Sequence, residues 1–124
     1  MLSKEVLISK LEYIIEHIDR IKEYTIAIHD SDDYVKSSEG ITLYDATMMR
    51  LQALGENLKS IEQKAPDILA KHAEIEWVKI IRLRDIISHH YEKIQTEIVY
   101  EICVDFIPKL ERTIKKIIEE SKEQ

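Results

Sequence analysis

Apolar residues recur along this 124-residue chain at three- and four-residue steps. Val6, Leu7, Leu11, Ile14, Ile15, Ile18 and Ile21 give one apolar face to a first helix, sustained to about Ile28. Ser3 is a favourable N-cap for it, with Glu5 in the first turn. Asp30-Ser31-Asp32-Asp33 is a polar break that can also cap a short helix, and Gly40 is expected in the connection that follows. Met48, Leu51, Leu54, Leu58 and Ile61 predict a second helix from about Leu43 to Lys64. Gly55 lies in its interior, where glycine costs about 1 kcal/mol against alanine, so close approach by another helix or a partner chain is expected there.

Pro66-Asp67 ends that helix or opens a short helical turn. A third helix carries Trp77-Val78-Lys79-Ile80-Ile81-Arg82-Leu83-Arg84 and runs on toward Tyr91. A fourth is expected near Thr96-Glu97, capped by the Thr96 hydroxyl, with Val99, Cys103, Phe106, Leu110, Ile114 and Ile117 as its buried stripe. Pro108 falls inside it and predicts a kink. The polar tail Glu119–Gln124 is expected to fray. With only two Gly and two Pro in the chain, little interrupts these helices. The expected fold is all-α: an up-and-down bundle of four long helices with short extra helices, in a single domain over residues 1–124.

Composition narrows the chemistry. The chain has 18 basic and 24 acidic residues and a net charge of −6, so any contact with nucleic acid must be local. Cys103 is the single cysteine, which excludes an intrachain disulfide and a cysteine-rich zinc site. No apolar signal core follows Met1, and no run has the ~20 apolar residues of a membrane span, so a cytoplasmic location is expected. A di-iron bundle needs Glu-x-x-His pairs; here Ile14, Ile26, Leu69, Ile86 and Ile87 stand three residues before the five histidines. The two isolated glycines form no phosphate-cradling loop. No metal and no cofactor are therefore expected.

Residues 77–95 hold Lys79, Arg82, Arg84 and Lys93 against Asp85 and Glu92, a basic window in an acidic chain. It reads either as a phosphate-binding surface or as an ordinary solvated helix face. On a regular helix Arg84 and Tyr91 lie ~20° apart, whereas His89 lies ~140° from Arg84. For Arg84 and His89 to serve one phosphate, either the helix breaks near His89 or two copies of the segment share a site. Asp85, four residues before His89, is placed to hold one imidazole nitrogen and leave the other free as a base.

Arg84-x4-His89-x-Tyr91 resembles the signature of the HepT toxins, a branch of the HEPN ribonucleases. The resemblance extends over nearly the whole chain: the long first helix, Leu54-Gly55-Glu56 in the second, Trp77 opening the third, and the apolar fourth. The chain departs from the family pattern at Glu76, where Pro is usual, at Asp85, often Asn, and at His90, commonly Gly. The last two lie inside the motif and bear on its activity and its control.

The resemblance implies an all-helical homodimer whose two motifs meet across a two-fold axis and line a cleft for RNA. It implies a toxin neutralised by a minimal nucleotidyltransferase antitoxin of the MntA kind, which transfers AMP to the motif tyrosine. On this expectation the protein is a metal-independent endoribonuclease. His89 acts as general base or acid for attack by the ribose 2′-OH, and Arg84 stabilises the phosphate. Tyr91 accepts AMP or contacts RNA; Asp85, Ser88 and His90 assist; Lys79, Arg82 and Lys93 bind RNA. Glu56 and Gly55 belong to packing or to the dimer surface, and Trp77 is a core or interface anchor. The competing expectation is a non-catalytic helical module that binds a nucleotide or a protein and partners a nucleotidyltransferase.

Overall fold

A computed structural model describes residues 2–124; Met1, which opens the polar N-terminal segment, lies outside the described residues. Six α-helices account for most of the chain, and no strand occurs among the described residues. Helix α1 spans Lys4–Thr25 and starts where expected, because the Ser3 hydroxyl accepts the Val6 N–H at 3.2 Å. Its stripe Leu7, Leu11, Ile14, Ile18 and Ile21 is buried, but Val6 is exposed and Ile15 half-buried at the stripe's edges, and the helix ends at Thr25 rather than near Ile28. Asp30 caps a 3₁₀ turn, Ser31–Tyr34, by accepting the Asp32 N–H at 2.9 Å.

Helix α2 spans Ser38–Lys64 and so begins about five residues earlier than its apolar pattern indicates. The Ser37 hydroxyl takes the Gly40 N–H at 3.0 Å, which draws Gly40 out of the connection and into the first turn. Glycine is needed there because a Cβ would stand 1.9 Å from the Asp33 carbonyl oxygen. Pro66 opens a short helix α3, Pro66–Ala70, consistent with a ring that tolerates only a helix start. Helix α4 spans Trp77–His90, and the Trp77 indole donates to the His72 carbonyl at 3.0 Å, anchoring that start in the core.

The final long rod is composite: α5, Thr96–Glu101; a π-helical stretch, Ile102–Phe106; and α6, Ile107–Lys122. Pro108 does disturb it, though by widening the preceding turn, where the Ile107 N–H reaches back five residues to the Ile102 carbonyl. Proline offers no N–H and its ring crowds the carbonyl four residues back, so the strain is relieved on the N-terminal side. Thr96 is the first residue of α5 rather than its cap; Gln95 holds the cap position and makes no side-chain capping bond. Phe106 is half-buried at the edge of the expected stripe. The tail is helical to Lys122, because Ser121 packs inward and Lys4 donates to the Lys122 and Gln124 carbonyls.

The packing order is α4 on α2, α2 on α1, and α1 on α6. Leu11, Ile14, Ile18, Leu51, Leu54, Leu58, Leu110 and Ile114 are fully enclosed where α1, α2 and α6 meet. Helix α4 is thus a flank of the bundle, packed on α2, and its other side is left open.

Candidate active site at the seam of α2 and α4

Helix α4 lies against α2 at Gly55. A Cβ on Gly55 would come within 2.6 Å of the Arg84 Cβ, so the missing side chain is what lets the motif helix approach. This accounts for a glycine in a helix interior. Arg84 then leans across the backbone of α2 toward Glu56.

The guanidinium is held by two carboxylates. Glu56 accepts from Nε and Nη2, and Asp85 accepts from Nη1 at 2.6 Å. Each nitrogen thus faces a carboxylate, one N–H on each terminal nitrogen stays free, and Lys59 adds a second cation nearby. The bonds from Asp85 and then Glu56 raise the pKa of Arg84 further above its already high value. The bond from Arg84 in turn holds the Asp85 carboxyl below the usual carboxylate range, helped by nearby Lys59. Around Arg84 itself the basic window is accordingly neutralised, a result hidden from the sequence because one of the acids comes from another helix.

Asp85 does not hold the His89 imidazole, contrary to the i,i+4 expectation. Its hydrogen bond goes to the adjacent Arg84, whose fixed guanidinium fork is the stronger partner for a carboxylate. His89 is exposed and has no side-chain hydrogen bond among the described residues. The helix does end close by, but one residue past His89: His90 leaves helical geometry at φ −139°, ψ 33°, and Tyr91–Lys93 forms a 3₁₀ turn. Arg84 and His89 thus stay on one regular helix, ~140° apart about its axis.

Tyr91 turns toward α2 and donates to Asp45. Partial burial, and then the Asp45 carboxylate, push its phenol well above the ordinary tyrosine range. Its ring meets Tyr44 edge-on with centroids 6.0 Å apart, and Tyr44 meets the buried Tyr34 at 5.1 Å. Ser88 accepts from the Gln52 amide at 2.9 Å. Asp45, Met49, Gln52, Ser88 and Tyr91 line a shallow depression between the helices, about 490 Å³ in volume.

Other expected residues stand elsewhere. Lys79 pairs with Glu76 at 2.9 Å and lines a groove of about 450 Å³ between α4 and the α5–α6 rod, away from Arg84. Arg82 and Lys93 are exposed, as is His90, and none of them touches the Arg84 cluster. Among the described residues no three His, Cys, Asp or Glu side chains gather as metal ligands would.

What the sequence reading missed is the contribution of α2. Asp45, Gln52, Glu56 and Lys59, with the exposed Met49 among them, recur at helical steps on one face. The periodicity was visible, but its pairing with Arg84, Ser88 and Tyr91 depends on the approach at Gly55.

Comparison with known proteins gives the chain's family. Residues 14–117 match the family model described as "Ribonuclease HepT-like". The chain belongs to the HepT-like ribonuclease family. It is 28% identical over 107 residues to "Probable ribonuclease HepT" of Thermococcus cleftensis, covering 86% of this chain and 91% of that one. It is 26% identical over 118 residues to a protein of Caldanaerobacter subterraneus named "Putative RNase", covering 95% and 93%. A third relative, from Methanocaldococcus jannaschii, is named "Gamma-glutamylcyclotransferase and putative RNase"; identity is 32% over 110 residues, 89% of this chain. This chain's match spans only 46% of that longer relative. No solved structure matches the chain. The all-α architecture and the family membership together make this a HEPN-type ribonuclease fold, and no helix among the described residues is long and apolar enough to cross a membrane.

Proposed function

We propose that the protein is the toxin of a toxin–antitoxin pair, an endoribonuclease that cuts RNA without a metal at a site shared by two copies of the chain. The observation that carries this reading is the unbroken helix through His89. With Arg84 and His89 on opposed sides of one rod, a single chain cannot direct both at one phosphate, whereas a two-fold pair can offer Arg84 from one copy and His89 from the other.

In that site His89 takes the proton of the ribose 2′-OH, whose oxygen attacks the neighbouring phosphorus while the bond to the 5′-oxygen breaks and that oxygen takes up a proton from water. The products are a 2′,3′-cyclic phosphate and a 5′-hydroxyl end. An imidazole exposed to solvent and, among the described residues, free of other side-chain hydrogen bonds suits the transfer. Arg84 offers N–H donors in a planar fork to the phosphate oxygens as charge develops on them. Ser88 and His90 flank the site, and Arg82 and Lys93 contact the RNA backbone farther along.

Tyr91 is the acceptor of AMP from a nucleotidyltransferase antitoxin. Its hydroxyl is reachable at the helix end, and Asp45, as its hydrogen-bond acceptor, is placed to take the phenolic proton during transfer. Added AMP brings bulk and negative charge to the end of the motif helix and repels the RNA backbone.

The experiment is RNA cleavage by purified protein in excess EDTA. Wild type is expected to cut and leave cyclic phosphate ends, and His89→Ala to lose a factor of about 10²–10⁴ in rate. Cleavage abolished by EDTA, or a fully active His89→Ala protein, contradicts the mechanism.

A further inference from the structure

The family signature names Arg84 but says nothing of what Arg84 does without RNA. Here Glu56 reaches it from a different helix and engages Nε and Nη2, the flat edge of the guanidinium that a phosphate would use. Asp85 takes Nη1. A phosphate arriving at this arginine finds the paired edge already occupied by a carboxylate, in a cluster where Glu56 and Asp85 balance Arg84 and nearby Lys59. RNA can take that two-nitrogen edge of Arg84 only if the carboxylate on it leaves.

Glu56 is the one placed to leave. Asp85 adjoins Arg84 in sequence and sits on the same helix, so it travels with the guanidinium. Both carboxylates are about half exposed, but Glu56 is anchored on α2 and has one more rotatable bond, so it can swing into solvent while Arg84 and Asp85 stay together on α4. The contact is also more than a chance surface pair. Gly55, the preceding residue, gives up its side chain so that the Arg84 stem can lie on α2 within reach of Glu56.

We infer that Glu56 is an internal stand-in for the RNA phosphate, a positioning residue that holds Arg84 on the α2 side in the free protein and exchanges with substrate on binding. This rests on the ribonuclease reading for the identity of the anion. Affinity for RNA is then set partly by competition with Glu56, and the guanidinium is kept in an extended, oriented state until a phosphate replaces the carboxylate.

The test is binding of a 2′-O-methyl RNA oligonucleotide, which lacks the attacking hydroxyl and reports affinity whether or not the protein cleaves RNA. Four full-length proteins form a double-mutant cycle: wild type, Glu56→Gln, Arg84→Ala and the double variant. Glu56→Gln keeps an amide oxygen for Arg84 but removes the competing charge. A unit charge ~4 Å from a phosphate in water corresponds to about a fivefold change in Kd, so tighter binding of that order is expected. In the Arg84→Ala background the same change is expected to give much less, because the competition acts through Arg84. Glu56→Asp keeps the charge on a shorter arm and is expected to bind between wild type and Glu56→Gln. Unchanged or weaker binding by Glu56→Gln overturns the inference, as does an equal gain with and without Arg84, which would mean general charge repulsion. Failure of wild type to cleave ordinary RNA would instead count against the ribonuclease reading and leave this cycle readable.

Discussion

The interior where α1, α2 and α6 meet and the seam between α2 and α4 are built by different physics. The interior is a set of leucines and isoleucines removed from water, with Leu11, Ile14, Leu54 and Ile114 wholly enclosed. Its attraction is non-directional and scales with area, so helical spacing alone specifies it. The seam buries Ile80 and Ile87 of α4 beneath it, is brought close by one glycine, and is lined at its surface by directional bonds: Arg84 to Glu56 and Asp85, Gln52 to Ser88, Tyr91 to Asp45. Exposed charges contribute little stability, which leaves those groups free to exchange partners. The lesson is a division of labour, with one region holding the fold and the other holding groups that chemistry can recruit.

Truncation in the interior breaks that comparison most severely. Leu11→Ala is expected to cost about 2–5 kcal/mol in denaturant unfolding, since a fully buried leucine leaves a cavity. Cleavage per folded molecule should be unchanged, and a loss of activity in protein shown to be folded would mean the two regions are coupled. Gly55→Leu attacks the seam directly. The new side chain collides with Arg84, so a cost of about 1–3 kcal/mol is expected, together with loss of RNA cleavage. Full activity in this variant would show that the close approach is not needed.

Asp85→Asn has the smallest effect and a defined pH dependence. The folded-state pKa of Asp85 is depressed, chiefly by its hydrogen bond to Arg84. Its contribution is therefore present above the unfolded value of about 3.9 and is lost as pH falls through the lower folded value. Melting temperatures from pH 6 to pH 2.5 should show a small deficit for Asp85→Asn at the upper end that closes at the acid end. A deficit that grows toward acid pH would mean the sign is wrong.

The same contrast explains what could be read from the chain. The Ser3 and Asp30 caps, the centres of the apolar stripes and the glycine-marked helix contact follow from local chemistry and lie where the sequence places them, while stripe-edge residues such as Val6 and Phe106 stay exposed or half-buried. Errors fell at ends and pairings. Gly40 entered α2 because Ser37 caps it, and the polar tail stayed helical because Lys4, more than a hundred residues away, bonds to its carbonyls. Asp85 was matched to His89 by spacing on one helix, yet its real partner is Arg84, which Glu56 also grips from α2. The three motif residues could be found from the sequence. Their bonding could not, because it depends on which face of α2 meets α4.

The central claim is that the Arg84–His89 site is completed by a second copy. It is tested most directly by mixing Arg84→Ala and His89→Ala proteins after denaturation and joint refolding, then measuring RNA cleavage. Each variant alone should be nearly inactive. In a mixed dimer one site receives Arg84 from one chain and His89 from the other, so random pairing should restore roughly a quarter of the wild-type rate. Mixtures that form dimers containing both chains yet stay as inactive as either parent would contradict the account.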